Sequence, residues 1–492
     1  MVTFEPIHHW VDAPGELVTW DASPASLAKA LEAPVSPVPP SYQQAQHLRA
    51  YLGHRANGME MARLNIPAWN IAGRCDLRAM THVINAYLRR HDTYHSWFEH
   101  QDSGQIIRRK FANPREIKFG PTNRGTVTSA DWQKYALATA SPFEWNCFSF
   151  GIIQRADHFT FYVSVDHLHA DAMFMAALFV EIHLMYTTLI GGGAPLQLPA
   201  PGSYDEYCVR QHEYAAGLSV DSPPVRSWID FATDNRGTLP HFPLPLGDPE
   251  VPSGGGMLTV QLMDEQQTLQ FESTCAAGGV RFSGGVFACA ALAEHALTGS
   301  ATYHVITPTT TRKTPAEFMT TGWFTGVVPI TVPVTETSFY ATARSAQASF
   351  DLRLDAASVP FERVVELAGP AAGLRMPQTG VPMLSFLDAG LPPLSPEIIT
   401  QWNELNGQVY SDNGAAHQVG MWVNRIGNDT TITVAFPDNP VARDSVVRYV
   451  EAMRAVYLRV IAGYGEMTPA DRTAKRIGAP RSTTDGLVSL QV

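Results

Sequence analysis

An α/β fold in two related halves is what this 492-residue chain predicts. Three observations point there. Strand-type alternation and buried-helix patterns succeed one another through residues 1–219. A Pro- and Gly-rich stretch, 220–256, then breaks the pattern. Beyond it, over 257–465, the order of strands and helices echoes the first half, and a polar tail, 466–492, closes the chain. At roughly one domain per 150 residues, the length allows two or three domains.

Residues 1–40 are Pro-rich and expected to be irregular, ending in Pro34-Val-Ser-Pro-Val-Pro-Pro40. Ser41 then caps a helix through about Tyr51. A second helix, Asp76 to Arg90, leads through Leu88–Phe98 into extended chain. Strands are predicted around Ile106–Phe111, Phe148–Gln154 and Phe159–Asp166. In the last, Phe159, Phe161, Val163 and Val165 alternate with polar residues, the period of a strand with one buried face. Met173 to Tyr186 lacks Gly and Pro and is rich in apolar residues, so it reads as a buried helix, stopped by Gly191-Gly-Gly193. A helix over Tyr204–Ala216 and one around Trp228 follow.

The second half opens with a strand at Met257–Met263 and helices at Glu265–Ala277 and Phe282–Leu297. A strand near Tyr303–Thr307 leads to Thr309-Thr-Thr-Arg312, and the stretch Gly322–Val334 follows. Helices at Phe339–Leu352 and Phe361–Ala368 precede a strand at Met383–Asp388. Gln418–Arg425 and Thr430–Phe436 flank Gly427-Asn-Asp429, a hairpin signal, and the last helix spans Ala442 to about Ala462.

Composition narrows the function. A net charge of −11 argues against nucleic acid and against a broadly basic lipid-binding surface. Cysteines 75, 147, 208, 275 and 289 are odd in number and scattered, which suits core thiols of a reducing compartment better than a disulfide or zinc framework. The first residues lack a basic start followed by an apolar run. Glu181 and His183 interrupt the most apolar helix, and no stretch reaches about 20 apolar residues. A cytoplasmic protein that meets the membrane only at its inner face is expected.

Between the strand ending at Asp166 and the buried helix lie His167, His169 and Asp171. Three readings compete for this polar knot. Asp171 could simply cap the helix while the histidines hydrogen-bond locally. His167-x-His169-x-Asp171 matches the first half of a metallo-β-lactamase-like signature, but Ala172 stands where that signature needs a further ligand, and no partner cluster is evident. Alternatively, His167-x-x-x-Asp171 is the pattern of acyltransferases that use coenzyme A or carrier-protein thioesters. There a neutral imidazole takes the acceptor's proton as oxygen attacks the thioester, then returns it to sulfur.

The rest of the chain weighs on this choice. Ser41-Tyr-Gln-Gln-Ala-Gln-His47, Arg89-Arg-His-Asp-Thr-Tyr94, Asp157-His-Phe-Thr-Phe161, Arg281-Phe-Ser-Gly-Gly-Val286, Gly322-Trp-Phe-Thr-Gly326, Ser385-Phe-Leu-Asp-Ala389 and Phe436-Pro-Asp-Asn-Pro440 occur in order. With them the chain, over about residues 5–465, resembles the mycobacterial polyketide-associated (Pap) acyltransferases of the condensation-domain superfamily, above all members that acylate trehalose or sulphated trehalose. There are departures. Asp166 replaces a frequent His, Ala172 replaces the usual Gly, and the second superfamily signature has only a weak counterpart in Tyr410–Gly414, to which no catalytic work is assigned.

The resemblance implies two chloramphenicol-acetyltransferase-like subdomains with the active site in a channel at their interface. It implies His167 as general base in direct transfer of a long acyl chain to a sugar hydroxyl, and Asp171 as an orienting group. Thr325 and Trp323 would line the acceptor side, while Arg90, His91 and His169 are read as structural. No cofactor is implied, since acyl-CoA is a substrate. A monomer working beside a polyketide synthase or a membrane lipid transporter is the expected setting. An amine or long-diol acceptor, or a silent acyl- or carrier-binding module, stays open as an alternative.

Overall fold

The computed structural model describes residues 4–463 apart from 194–195, 250, 252, 335–337, 378–380, 390–394, 413 and 427–428. The expected tail from 466 and the tip of the 427–429 hairpin thus lie outside the described residues, as does part of Tyr410–Gly414.

Two mixed sheets organise the chain. The first has seven strands in the order Phe4–Pro6, Gln408–Ser411, Leu64–Ala72, His158–Asp166, Phe148–Gln154, Gly15–Ala22 and Phe119–Val127. The second has six, Thr325–Pro333, Thr302–Thr310, Met383–Asp388, Gly420–Ile426, Asp429–Pro437 and Gly255–Met263. A hairpin of Ser96–His100 and Ile106–Lys110 stands apart.

Each sheet buries its apolar side under helices. Leu77–Arg90 and Phe174–Ile190 cover the first, with Trp69, Phe161, Met80, Leu178 and Ile182 meeting in one cluster. Phe282–Thr298, Phe339–Arg353 and Pro440–Ile461 cover the second around Val286, Leu292, Ile330 and Met453. Burying each such side chain contributes roughly 1.5–3 kcal/mol.

Most expected elements are present, and the helices at Tyr204–Ala216, Glu265–Ala277 and Phe361–Ala368 match to the residue. The first forty residues correct the expectation. They are not irregular: Gly15–Ala22 is a strand inside the first sheet, paired on both sides, and Pro24–Leu31 is a helix capped by Ser23. Pro14 and Pro24 lie just outside the strand, where a missing N–H costs no ladder bond. Strands at Leu64–Ala72 and Phe119–Val127 were also unforeseen.

The sheets do not respect the chain division at 256. Gln408–Ser411, from the later half, enters the first sheet between Phe4–Pro6 and Leu64–Ala72, and the preceding helix Pro396–Glu404 puts Trp402 against Trp69 and Phe179. Past that strand, the N–H of Ala415 donates to the Glu60 carbonyl at 2.6 Å. Gly414 is obligatory in this seam, because a Cβ there would lie 1.9 Å from the Ala62 nitrogen.

Candidate active site

His167 opens a single 3-10 turn, His167–His169, at the end of the strand His158–Asp166. Asp166 makes that turn by accepting from the Leu168 N–H at 3.0 Å, while the His167 N–H donates to the Arg63 carbonyl at 2.8 Å. The backbone on both sides of the imidazole is therefore held. The ring is half-buried and packs against Trp323 of the second half, centroids 4.1 Å apart, and its Nδ1 has no hydrogen-bond partner. Burial, then the nearby His47, push the imidazole down to about 4, against weaker opposite pulls from its own carbonyl, Asp166 and Asp171. It is neutral near pH 7, the state a proton acceptor needs.

Asp171 reaches away from His167. Its Oδ1 accepts from the N–H groups of Met173 and Phe174, at 3.0 and 3.1 Å, capping the entry to the helix Phe174–Ile190. Its Oδ2 accepts from Arg312 Nη1 at 2.5 Å and from the Phe324 N–H at 3.0 Å, both in the second half. Arg312 also donates to the carbonyls of Glu317 and Thr320 and lies over the Phe324 ring at 4.4 Å. Side chains of the ion pair are 1% and 2% exposed, so the halves are joined by a dry charged contact one turn from His167. Asp171 is not itself the N-cap, a place taken by Met173, but it bonds the N–H groups at the helix entry, and the same carboxylate also ties the two halves.

Asp166 is the hub of a second network. Its Oδ1 meets His47 Nε2 at 2.9 Å and its Oδ2 meets Arg63 Nη1 at 2.8 Å. Complete burial pushes this carboxyl up, but His47 and Arg63 outweigh burial and hold it at about 2. Arg63 also receives the crossover segment: its N–H, with that of Leu64, donates to the Asp412 carboxylate. Burial raises Asp412 to about 6.

Other expectations find definite places. His169 is buried between Thr93 Oγ1 at 2.9 Å and Cys147 Sγ at 3.3 Å, so both ring nitrogens are engaged. His91 and Arg90 both bind the buried Glu181, at 2.9 and 3.2 Å, which explains an acid inside an apolar helix. The ring of Trp323 stands at the site, whereas Thr325 offers its carbonyl to Gln43 Nε2 at 2.7 Å. The close packing of Gly322, where a Cβ would lie 2.4 Å from the Tyr204 ring, seats this segment. All five cysteines are buried and free. His167, His169 and Asp171 diverge to separate partners, so the three do not form one donor set for a metal. Sequence reasoning gave no role to His47, Arg63 or Arg312. His47 ends a quoted motif and Arg312 follows a strand, but an isolated arginine such as Arg63 reads as solvated.

The condensation-domain family model matches residues 64–375. "Trehalose-2-sulfate acyltransferase PapA2" of Mycobacterium tuberculosis (strain ATCC 25618 / H37Rv) is 53% identical over 94% of this chain and 98% of its own. "2'-acyl-2-O-sulfo-trehalose (hydroxy)phthioceranyltransferase PapA1" of Mycobacterium tuberculosis (strain CDC 1551 / Oshkosh) is 51% identical over 97% of this chain and 91% of its own. A solved "PapA2 acyl transferase" superposes with a TM-score of 0.90 at 52% identity, covering 93% of this chain and 99% of that one. The first condensation domain of the CDA synthetase, at 16% identity, shares the fold with a TM-score of 0.62, over 85% and 95%. With this two-lobed architecture, and with half its residues shared with those enzymes, the chain belongs to the condensation-domain superfamily and, within it, to the polyketide-associated acyltransferases.

Proposed function

We propose that this protein transfers a long-chain acyl group from a coenzyme A or carrier-protein thioester to a hydroxyl of trehalose or sulphated trehalose. The observation that carries the reading is the neutral His167 imidazole, held by its turn at the seam between halves against Trp323. The relatives' names supply the acceptor class. His167 takes the proton of the sugar hydroxyl as its oxygen bonds to the acyl carbon. The carbon–sulfur bond then breaks and the imidazolium returns the proton to the departing thiolate. No side chain is acylated. The cysteines are buried and their thiols pushed up by burial, which suits core packing rather than nucleophilic work. Asp171 orients the turn from below and Trp323 walls the acceptor side. A channel between the halves would admit thioester and sugar from opposite mouths.

No single helix among the described residues is long and apolar enough to cross a membrane. The proposed setting is the cytoplasmic face of the plasma membrane, as a monomer handing its product to a lipid transporter or taking acyl groups from a polyketide synthase. Purified protein given trehalose or trehalose-2-sulfate with acyl-CoAs of increasing length should release free thiol only when a sugar is present, and mass spectrometry should find the sugar ester. Thiol release with neither sugar consumed, or transfer to an amine or long diol in preference, would overturn the assignment.

A further inference from the structure

We propose that His47, on the helix Tyr42–Ala56, is a positioning residue for acyl transfer that holds the His167 imidazole through Asp166 on one side and Trp323 on the other. The inference rests on the reading of His167 as the base. Its geometry is two-sided. His47 Nε2 lies 2.9 Å from Asp166 Oδ1, the same oxygen that accepts the Leu168 N–H and so shapes the turn beginning at His167. The His47 ring also meets Trp323 edge-on at 5.5 Å, and Trp323 in turn packs on His167 at 4.1 Å. A ring touching both the support beneath the base and the wall in front of it can fix where the base points.

The helix that carries His47 is itself anchored to both halves. Gln44 Nε2 donates to the Leu168 carbonyl at 3.0 Å, and Gln43 Nε2 donates to that of Thr325 at 2.7 Å. His47 thus sits where a shift between halves would be felt by His167.

Charge follows the same geometry. The charged and titratable groups acting on His167 are His47 and, on either side of its turn, Asp166 and Asp171, whose carboxylates are turned toward Arg63 and Arg312. The two arginines are committed to the two aspartates. His47, its ring centre 6.2 Å from that of His167, is the neighbour that opposes a positive charge on the base.

Two variants separate these roles. His47→Gln keeps a donor for Asp166 without the imidazole, and His47→Phe keeps a ring against Trp323 without the donor. Values of kcat/KM followed over the acid range should show the acid limb of His47→Gln displaced upward, because a neighbour that opposes a positive charge on the base is gone. His47→Phe should lower kcat by roughly tenfold or more with KM for the thioester little changed, as expected when a reacting group is misaligned. A purely structural His47 would leave the acid limb in place. An unmoved limb in His47→Gln, together with wild-type kcat in whichever variant folds, overturns the inference. His167→Ala run alongside tells the two readings apart. If it transfers acyl groups normally, the base assignment falls, whereas an inert His167→Ala with unaltered His47 variants removes only the role given to His47.

Discussion

Replacing Asp171 by Asn tests how the halves are held around the site. The carboxylate takes five hydrogen bonds: two cap the helix Phe174–Ile190 and three come from Arg312 and the Phe324 N–H. Asn can keep the two cap bonds on its oxygen. Its amide, however, turns donors toward Arg312 Nη1 and the Phe324 N–H and leaves a guanidinium buried without a counter-charge. Breaking a buried pair in this way costs roughly 3–5 kcal/mol, a large part of the roughly 5–15 kcal/mol that holds a typical protein folded. Adding Arg312→Met removes the stranded cation, and the double variant should regain all but about 2 kcal/mol. Urea unfolding followed by tryptophan fluorescence reads the stability, and thiol release reads the transfer. Asp171→Asn should unfold at clearly lower urea and the double variant between it and wild type, while both transfer poorly because the turn is no longer pinned to the second half. An Asp171→Asn protein with wild-type urea midpoint and wild-type kcat would refute the tether.

Asp412→Asn should stabilise the protein near neutral pH. A carboxyl whose folded pKa lies above its unfolded value holds its proton more tightly when folded, so its charge is a penalty that is absent below about pH 4 and complete above about pH 6. A shift from 3.8 to about 6 corresponds to about 3 kcal/mol, and half-burial trims this to about 1–2 kcal/mol. Asn keeps an oxygen for the N–H groups of Arg63 and Leu64, so unfolding curves at pH 7.5 and pH 4 should differ in the gain, and equal gains at both would contradict the account. Arg90→Ala should lower stability by about 1–3 kcal/mol through loss of its bonds to Glu181 and the Pro199 carbonyl, with kcat within about twofold of wild type. A thousandfold loss in the folded variant would make Arg90 part of the chemistry.

Much of this architecture was legible because its causes are local. Ser41 and Gln44 form a reciprocal cap that starts the helix where the residues place it, and Asp76 caps Leu77–Arg90 likewise. Alternation marked the strand that delivers His167, and its flanking helix was plain from apolar content. What could not be read depends on contacts between distant residues. Gly15–Ala22 looks irregular beside its prolines, yet two neighbouring strands about a hundred residues or more further along make it a sheet strand. Gln408–Ser411 has four residues and no pattern of its own, and its pairing with Leu64–Ala72 and Phe4–Pro6 places it in the first sheet. The site shows the same division. His167 and Asp171 stand out by spacing, but the partner of Asp171 is 141 residues on and the partners of Asp166 are 103 and 119 residues back. Charges that pair across such separations leave no periodic trace.

The most direct test of the central claim is kcat/KM for acyl transfer by His167→Ala, measured on protein whose circular dichroism and thermal midpoint match wild type. The ring is half-buried and its Nδ1 unbonded, so its removal should leave the fold intact. Loss of a general base predicts a fall of roughly 10²–10⁴-fold. A folded His167→Ala protein within tenfold of the wild-type value would contradict the account.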